Sequence, residues 1–444
     1  LHSRWVRRPF SSATLWEVDE AKGSTISNEI RNQTPLGLAL LHAMPWCIQL
    51  RDRLKISRDV VDTERFSIQG GETMLAARSE GIVIKIQKSR VLEDGMRALD
   101  RVGVNIKERI IVRYVNQFGV EESGIDIGGL FKDFWVDLSA QVFDPNFGLF
   151  VETNDKALYP NPSAPMLFDA AELPRLYRFV GMILGKAIFE NIVVGNQFAH
   201  FFLSFLSGRY NFMHMIDDLS TLDPELYRNL MFLKSYDGDV GDLCLTFSVT
   251  DDAFGGRREV DLVPNGSNIS VTSANRIRYC SLMAKYYLHD RLEKQARAFF
   301  QGLYFVIQPE LLAMFCAPEL QVLISGASAG IDVDDFKAHC QYAAGYSSFH
   351  RGITRFWKVV GGMSDEDRAL LLKFVTSCER PPSLGFSALH PPFTIQYLDG
   401  GGDERLPSAS TCFNVLKLPS YSSSKVMRDK LLLAIRSKSG FDLS

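Results

Sequence analysis

Nowhere in its 444 residues does this chain carry an uninterrupted apolar run of membrane-spanning length. A transmembrane helix needs about 18 such residues, and the most apolar segment, 179–194, is interrupted by Lys186 and Glu190. Its period suits a buried core helix. A large excess of either charge is missing too, since 49 Lys and Arg against 52 Asp and Glu leave a net charge of −3. A dedicated nucleic-acid binder usually carries a basic excess, so nucleic acid is not an expected partner. Closely spaced cysteines are missing. The seven stand at 47, 244, 280, 316, 340, 378 and 412, an odd count without the short pairs of a disulfide framework or zinc site. Reduced thiols are expected, with a cytoplasmic or nuclear location, and the sequons at Asn32, Asn265 and Asn268 then carry no weight. Gly400-Gly401-Gly402 lacks the spacing and the following Lys-Ser/Thr of a phosphate loop, and no His-Glu-x-x-His occurs. Neither cofactor nor metal is expected. No apolar signal region stands behind Arg4, Arg7 and Arg8, and the first residue is Leu1, so the chain is expected to be part of a longer intracellular protein.

What remains is an ordinary globular composition, 46% hydrophobic and 23% charged, long enough for two or three domains. Residues 1–84 mix polar turns with one apolar run at 36–50 and are expected to form an entry segment that packs on the domain after it. Beyond them, Leu130, Phe134, Leu138 and Val142 recur at four-residue steps, the signature of one apolar helix face. Leu176, Val180, Ile183, Leu184, Ala187 and Ile188 do likewise after Pro174. Further helices are expected over 274–300 and 309–324, with short strands at 243–249 and 269–272.

Six small residues, Ser325-Gly-Ala-Ser-Ala-Gly330, then change the texture. Such a run can hinge, or simply connect. After it, residues 331–444 read as a compact α/β unit. A helix is expected over 352–360 and a second opened by Ser364 with Asp367 three positions on. Strands come next at 393–398 and 413–418, then a terminal helix with Met427, Leu431, Ala434 and Ile435 on one face.

The cysteines differ by neighbourhood. Cys47 and Cys244 sit among large apolar residues and read as small buried hydrophobes. Cys412 comes after the polar approach Leu406-Pro-Ser-Ala-Ser-Thr411 and stands at a loop-to-strand junction, where a thiol can be exposed. On context alone it is structural or catalytic. His289-Asp290 reads as a surface pair on a helical stretch.

The segment Arg405-Leu-Pro-Ser-Ala-Ser-Thr-Cys-Phe-Asn-Val-Leu-Lys-Leu-Pro-Ser-Tyr421 closely resembles the active-site signature of HECT ubiquitin ligases. Cys412 falls on that family's thioester-forming cysteine, 32 residues before the end. The resemblance covers about 85–444. It includes 113–134, the Gly-x-Asp-x-Gly-Gly pattern within 120–129, Tyr236-Asp-Gly-Asp, 272–276, 319–326, Phe374-Val-Thr-Ser-Cys378 and Gly440-Phe-Asp-Leu-Ser444. The last two segments are similar to the branch whose longer members carry an upstream calmodulin-binding IQ segment.

The resemblance implies an α+β, bilobal fold: a larger, mainly helical N-lobe with small sheets at 85–325, a hinge at 326–330 and a smaller α/β C-lobe at 331–444. Gly326 and Gly330 would be the hinge glycines. Partners would be a charged ubiquitin-conjugating enzyme, ubiquitin and a protein substrate. Positions matching the family's conjugating-enzyme groove are Leu226, Leu230, Leu233, Tyr236, Asp242 and Tyr279; the three leucines equally fit a core face. Cys412 would take ubiquitin as a thioester and pass it to a lysine. An acidic group would help the second step, with Asp442 and the carboxylate of Ser444 as candidates, while Phe441 matches the family's tail Phe or simply docks the chain end. Thr411, Ser410 or Asn414 would donate to the oxyanion, or serve the turn. Two rivals stand beside this reading: a catalytically inactive HECT-like binding protein, and a Cys-His hydrolase using His390 or His350.

Overall fold

A computed structural model describes residues 25, 28–30, 34–70, 81–121, 129–207, 215–251, 257–326 and 330–437. The architecture is α+β, with helices dominant and sheets small. The chain forms two compact units, each assembled from separated stretches. One holds residues 1–53, 140–186 and 196–321; the other holds 54–139, 187–195 and 322–444. The segment 331–444 therefore lies in one unit together with 54–139.

The first unit is built on aromatic packing. Phe150 meets Phe143, Phe198, Phe202 and Phe299 through tilted or edge-on ring contacts 5.3–6.3 Å apart, the arrangement that aromatic quadrupoles favour. Around this core run the helices Leu173–Phe189 and Glu293–Val306. They cross where Gly181 abuts the Phe299 carbonyl and Gly302 the Arg178 carbonyl, so a side chain at either position would enter the other helix's backbone. Two antiparallel ribbons complete the unit, 150–152 with 158–160 and 248–251 with 258–261. In the same unit, Arg53 forms a buried two-point ion pair with Glu319 at 2.6 and 2.7 Å and also donates to the Met314 carbonyl.

Four expectations need correction here. The helix expected over 274–300 is broken into Arg276–Lys285, a wider turn at Tyr286–Asp290 and Glu293–Val306, with the Tyr286 hydroxyl bonded to the buried Asp251 carboxylate inside the break. That expected over 309–324 divides into Pro309–Leu312 and Ala317–Ser325, the second opening where Glu319 accepts the Cys316 N–H at 3.0 Å. The strand expected at 243–249 begins only at Ser248, because Cys244 takes a left-handed conformation with φ of 49°. Residues 269–272 make a single bridge, Thr246 to Ser270, since Asn275 turns back to accept the Thr272 N–H.

In the second unit, strands Ile82–Gln87 and Ile110–Val115 pair in parallel, with the helix Val91–Val102 between them in sequence. The first of these strands falls partly within the expected entry segment and was missed. A four-stranded sheet runs in the order 341–343, 394–398, 415–419, 408–410, parallel except for the last pairing. Helices Arg351–Gly361, Asp365–Thr376 and Ser424–Arg436 lie close to the expected positions. Ser364 accepts the Asp367 N–H at 3.2 Å, the capping expected from their spacing. Met427, Leu431, Ala434 and Ile435 are all buried, and Met427, Leu431 and Ile435 join a core with Phe336, Phe356, Ile395, Leu416 and Leu418. Among the described residues, no helix is long and apolar enough to cross a membrane.

Candidate active site

Strand Ser408–Ser410 ends in a tight turn, Thr411–Phe413, and the sheet resumes at Val415–Pro419. The strand expected from Phe413 thus starts two residues late. The cause is Asn414, whose φ of 52° reverses the chain. Among residues with a side chain, Asn enters the left-handed region at least cost. Asn414 is also fully buried and satisfied at both ends. Its Oδ1 accepts from Lys132 Nζ at 2.8 Å, its Nδ2 donates to the Pro391 carbonyl at 2.5 Å, and its own carbonyl accepts the Thr394 N–H at 2.9 Å. A buried amide left without partners would cost about 1–3 kcal/mol.

On the other side of the turn, Thr411 Oγ1 donates to Asp133 Oδ1 at 3.0 Å. Consecutive residues of the helix Gly129–Val142 therefore grip both flanks of position 412. The side chain of Cys412 lies outside the described residues, as do Phe441, Asp442 and Ser444. Ser410 is half-buried and pairs with Val415 across the ribbon. Burial holds the Cys378 thiol above its ordinary pKa, with a backbone hydrogen bond from Arg380 and then the Lys132 ammonium pulling the other way. One turn along its helix from Asp133, the Asp137 carboxyl is raised by burial and by the Asp133 charge.

The candidate hydrolase partners sit differently. His350 caps the helix Arg351–Gly361, and its Nδ1 accepts the Gly352 N–H at 3.0 Å. That nitrogen is already engaged. His390 is exposed.

Of the apolar positions, Leu230, Leu233 and Tyr279 are buried in the contact between helices Pro224–Ser235 and Arg276–Lys285. Burial pushes the Tyr279 phenol up to about 12. Leu226 and Tyr236 are half-buried and Asp242 is exposed. Sequence reasoning missed the outward residues beside them: Phe232, 59% exposed and 5.3 Å from the Tyr236 ring, with Ile277 and Leu243. It also missed Lys132 and Asp133. Both lie in a stretch of family resemblance, but nothing in their spacing marks contacts to positions 282 and 278 residues away.

Gly326 ends the helix Ala317–Ser325 with φ of 79°, its N–H bonded to the Val322 carbonyl. Gly330 is exposed, and residues 327–329 lie outside the described set. The Gly-x-Asp-x-Gly-Gly pattern falls almost wholly on 122–128, likewise outside it. Of the two cysteines read as buried hydrophobes, Cys47 is half-buried and Cys244 is exposed. Cys244 closes the short turn Val240–Leu243 ahead of the ribbon, in a left-handed conformation. His289 is half-buried rather than a surface group, its ring stacked 4.6 Å from that of Phe205.

The model of the HECT domain, described as a ubiquitin-transferase, matches residues 136–444. The chain belongs to the HECT family. It is similar to ubiquitin-protein ligase E3B of Homo sapiens, 38% identical over all of this chain and 44% of that protein. It is 39% identical to E3 ubiquitin-protein ligase UPL6 of Arabidopsis thaliana, over 99% of this chain and 42% of that one. A probable E3 ubiquitin protein ligase of Schizosaccharomyces pombe is 46% identical over 81% of this chain and 34% of its own length. The chain thus spans less than half the length of these curated relatives. Within the HECT family, the turn at 411–414 gains a chemical context that its geometry alone does not supply.

Proposed function

We propose that this chain is the catalytic part of a HECT-type E3 ubiquitin-protein ligase, acting in the cytoplasm, the nucleus or both. It takes ubiquitin from a charged conjugating enzyme onto Cys412 and passes it to a lysine of a protein substrate. The observation that carries this is the uninterrupted signature around Cys412 in a chain of the HECT family. Cys412 attacks as thiolate, exchanging one thioester for another, so the step is nearly balanced and needs no nucleotide. A cysteine with pKa near 8.5 is only a few per cent ionised at neutral pH, yet its thiolate is a strong nucleophile.

The division into lobes at 85–325 and 331–444, hinged at 326–330, belongs to the same reading. For the conjugating enzyme, Leu226, Tyr236 and Asp242 would make contact with Phe232 and Leu243, while Leu230, Leu233 and Tyr279 support them from beneath. Thr411 and Phe441 would place the reactants. The His350 cap weighs against the hydrolase alternative.

Incubation with activating enzyme, charged conjugating enzyme and ubiquitin should give a reductant-sensitive adduct on the wild-type chain and none on Cys412→Ala. An adduct persisting on Cys412→Ala would sink the proposal. No adduct on wild type would favour the inactive binding relative.

A further inference from the structure

We infer that Asp133 is the carboxylate that serves the attacking lysine in the second half-reaction, an inference resting on the reading of Cys412 just given. Transfer to an amine has a demand that thioester exchange lacks. A lysine arrives as an ammonium ion, must be drawn to the thioester, and must shed two protons before the amide is complete. Asp133 Oδ1 lies 3.0 Å from the Thr411 hydroxyl. Cys412 is the next residue, its Cα about 3.8 Å further along the chain. The carboxylate is therefore bonded to the residue that precedes Cys412 in the chain. Its helix is fixed to the other flank of Cys412 by the bond from Lys132 to Asn414.

The ammonium first loses one proton to solvent, and the amine lone pair forms the C–N bond at the ubiquitin carbonyl. The adduct carries a positive nitrogen and a negative oxygen. Asp133 takes one N–H proton, the C–S bond breaks with its electron pair returning to Cys412, and the isopeptide bond is left. The proton on Asp133 then passes to solvent or to the thiolate.

The test is single-turnover discharge from the full chain preloaded with ubiquitin, comparing free lysine with a small thiol as acceptor. Thiol attack needs no N–H proton removed. Asp133→Asn keeps an oxygen for the Thr411 hydroxyl and so spares the turn. It should slow discharge to lysine by roughly 100-fold, the range of general-base effects, and leave discharge to the thiol within about two-fold. Asp133→Glu should keep most of the lysine rate. Equal losses toward both acceptors, or no loss toward lysine, would overturn the assignment. Should Asp133→Asn fail to accept ubiquitin, Asp133→Ser decides, since its hydroxyl can still accept from Thr411 while the base is gone: a loss confined to lysine upholds the role, and equal losses toward lysine and thiol, or no loss toward lysine, reject it. Failure of the wild-type chain to load would instead defeat the reading of Cys412.

Discussion

The turn at 411–414 and the helical face around 224–243 are both candidate contact regions, yet they are built by opposite means. The turn is held by single atoms. One left-handed residue, Asn414, and one hydroxyl, Thr411, reach partners on remote segments. The helical face is held by area, with Leu230 and Leu233 buried against the neighbouring helix while Phe232 between them points outward. A site made of specific bonds is recognised by its string of residues and disguises its supports. A site made of area shows its period and disguises which side faces out.

The sharpest way to break this comparison is at Asn414. Asn414→Ala removes three side-chain-dependent features at once: the bond from Lys132, the bond to Pro391 and tolerance of φ near 52°. Together these should cost about 3–4 kcal/mol. Asn414→Gly loses the same bonds but not the conformation, and should be milder by about 1 kcal/mol. Hydrogen exchange in strands 394–398 and 415–419 measures both, because local opening reports the stability of that sheet. Equal effects of Ala and Gly would show that the left-handed conformation carries no cost.

The helical face yields to a paired measurement. Leu230→Ala and Leu233→Ala should each cost about 2–4 kcal/mol in thermal or denaturant unfolding through lost burial and the cavity left behind. Phe232→Ala should stay within about 0.5 kcal/mol, as exposed positions do, yet slow charging by the conjugating enzyme. A Phe232→Ala protein that charges at the wild-type rate would remove this face from the proposed docking surface.

Periodicity made the helices of the second unit legible: Ser364 with Asp367 marked a start, and Met427, Leu431, Ala434 and Ile435 marked a buried face. It failed over 274–300, where the continuous pattern hides a break stabilised by Asp251, a residue outside that segment. The strand 82–87 was missed because its partner, 110–115, lies beyond an intervening helix. For the proposed site, Cys412 stands out in sequence through the family signature around it. Lys132 and Asp133 do not, since their bonds to 414 and 411 close long loops that no local pattern announces. Cys244 failed for a related reason: it closes a short turn over 240–243 in a left-handed conformation that its neighbours Leu243 and Leu245 do not announce.

Gly326 and Gly330 bring the same contrast down to single glycines at the two ends of the proposed hinge. At Gly326 the φ of 79° and the Pro381 carbonyl, 2.5 Å from where a Cβ would stand, both exclude a side chain. Gly330 has neither restriction; its nearest neighbour, the Asp365 carboxyl, would be 3.5 Å away. Gly326→Ala should therefore cost about 2 kcal/mol, read in unfolding, whereas Gly330→Ala should change stability by less than about 0.5 kcal/mol. If the segment also hinges, Gly330→Pro should slow ubiquitin transfer without unfolding either unit, whereas proline at 326 would add the loss of the N–H bond to Val322 and a forbidden φ to any effect on hinging. Slowing by Gly326→Ala in proportion to its lost stability, with none from Gly330→Pro, would assign Gly326 to chain reversal at a helix end and leave the hinge without support.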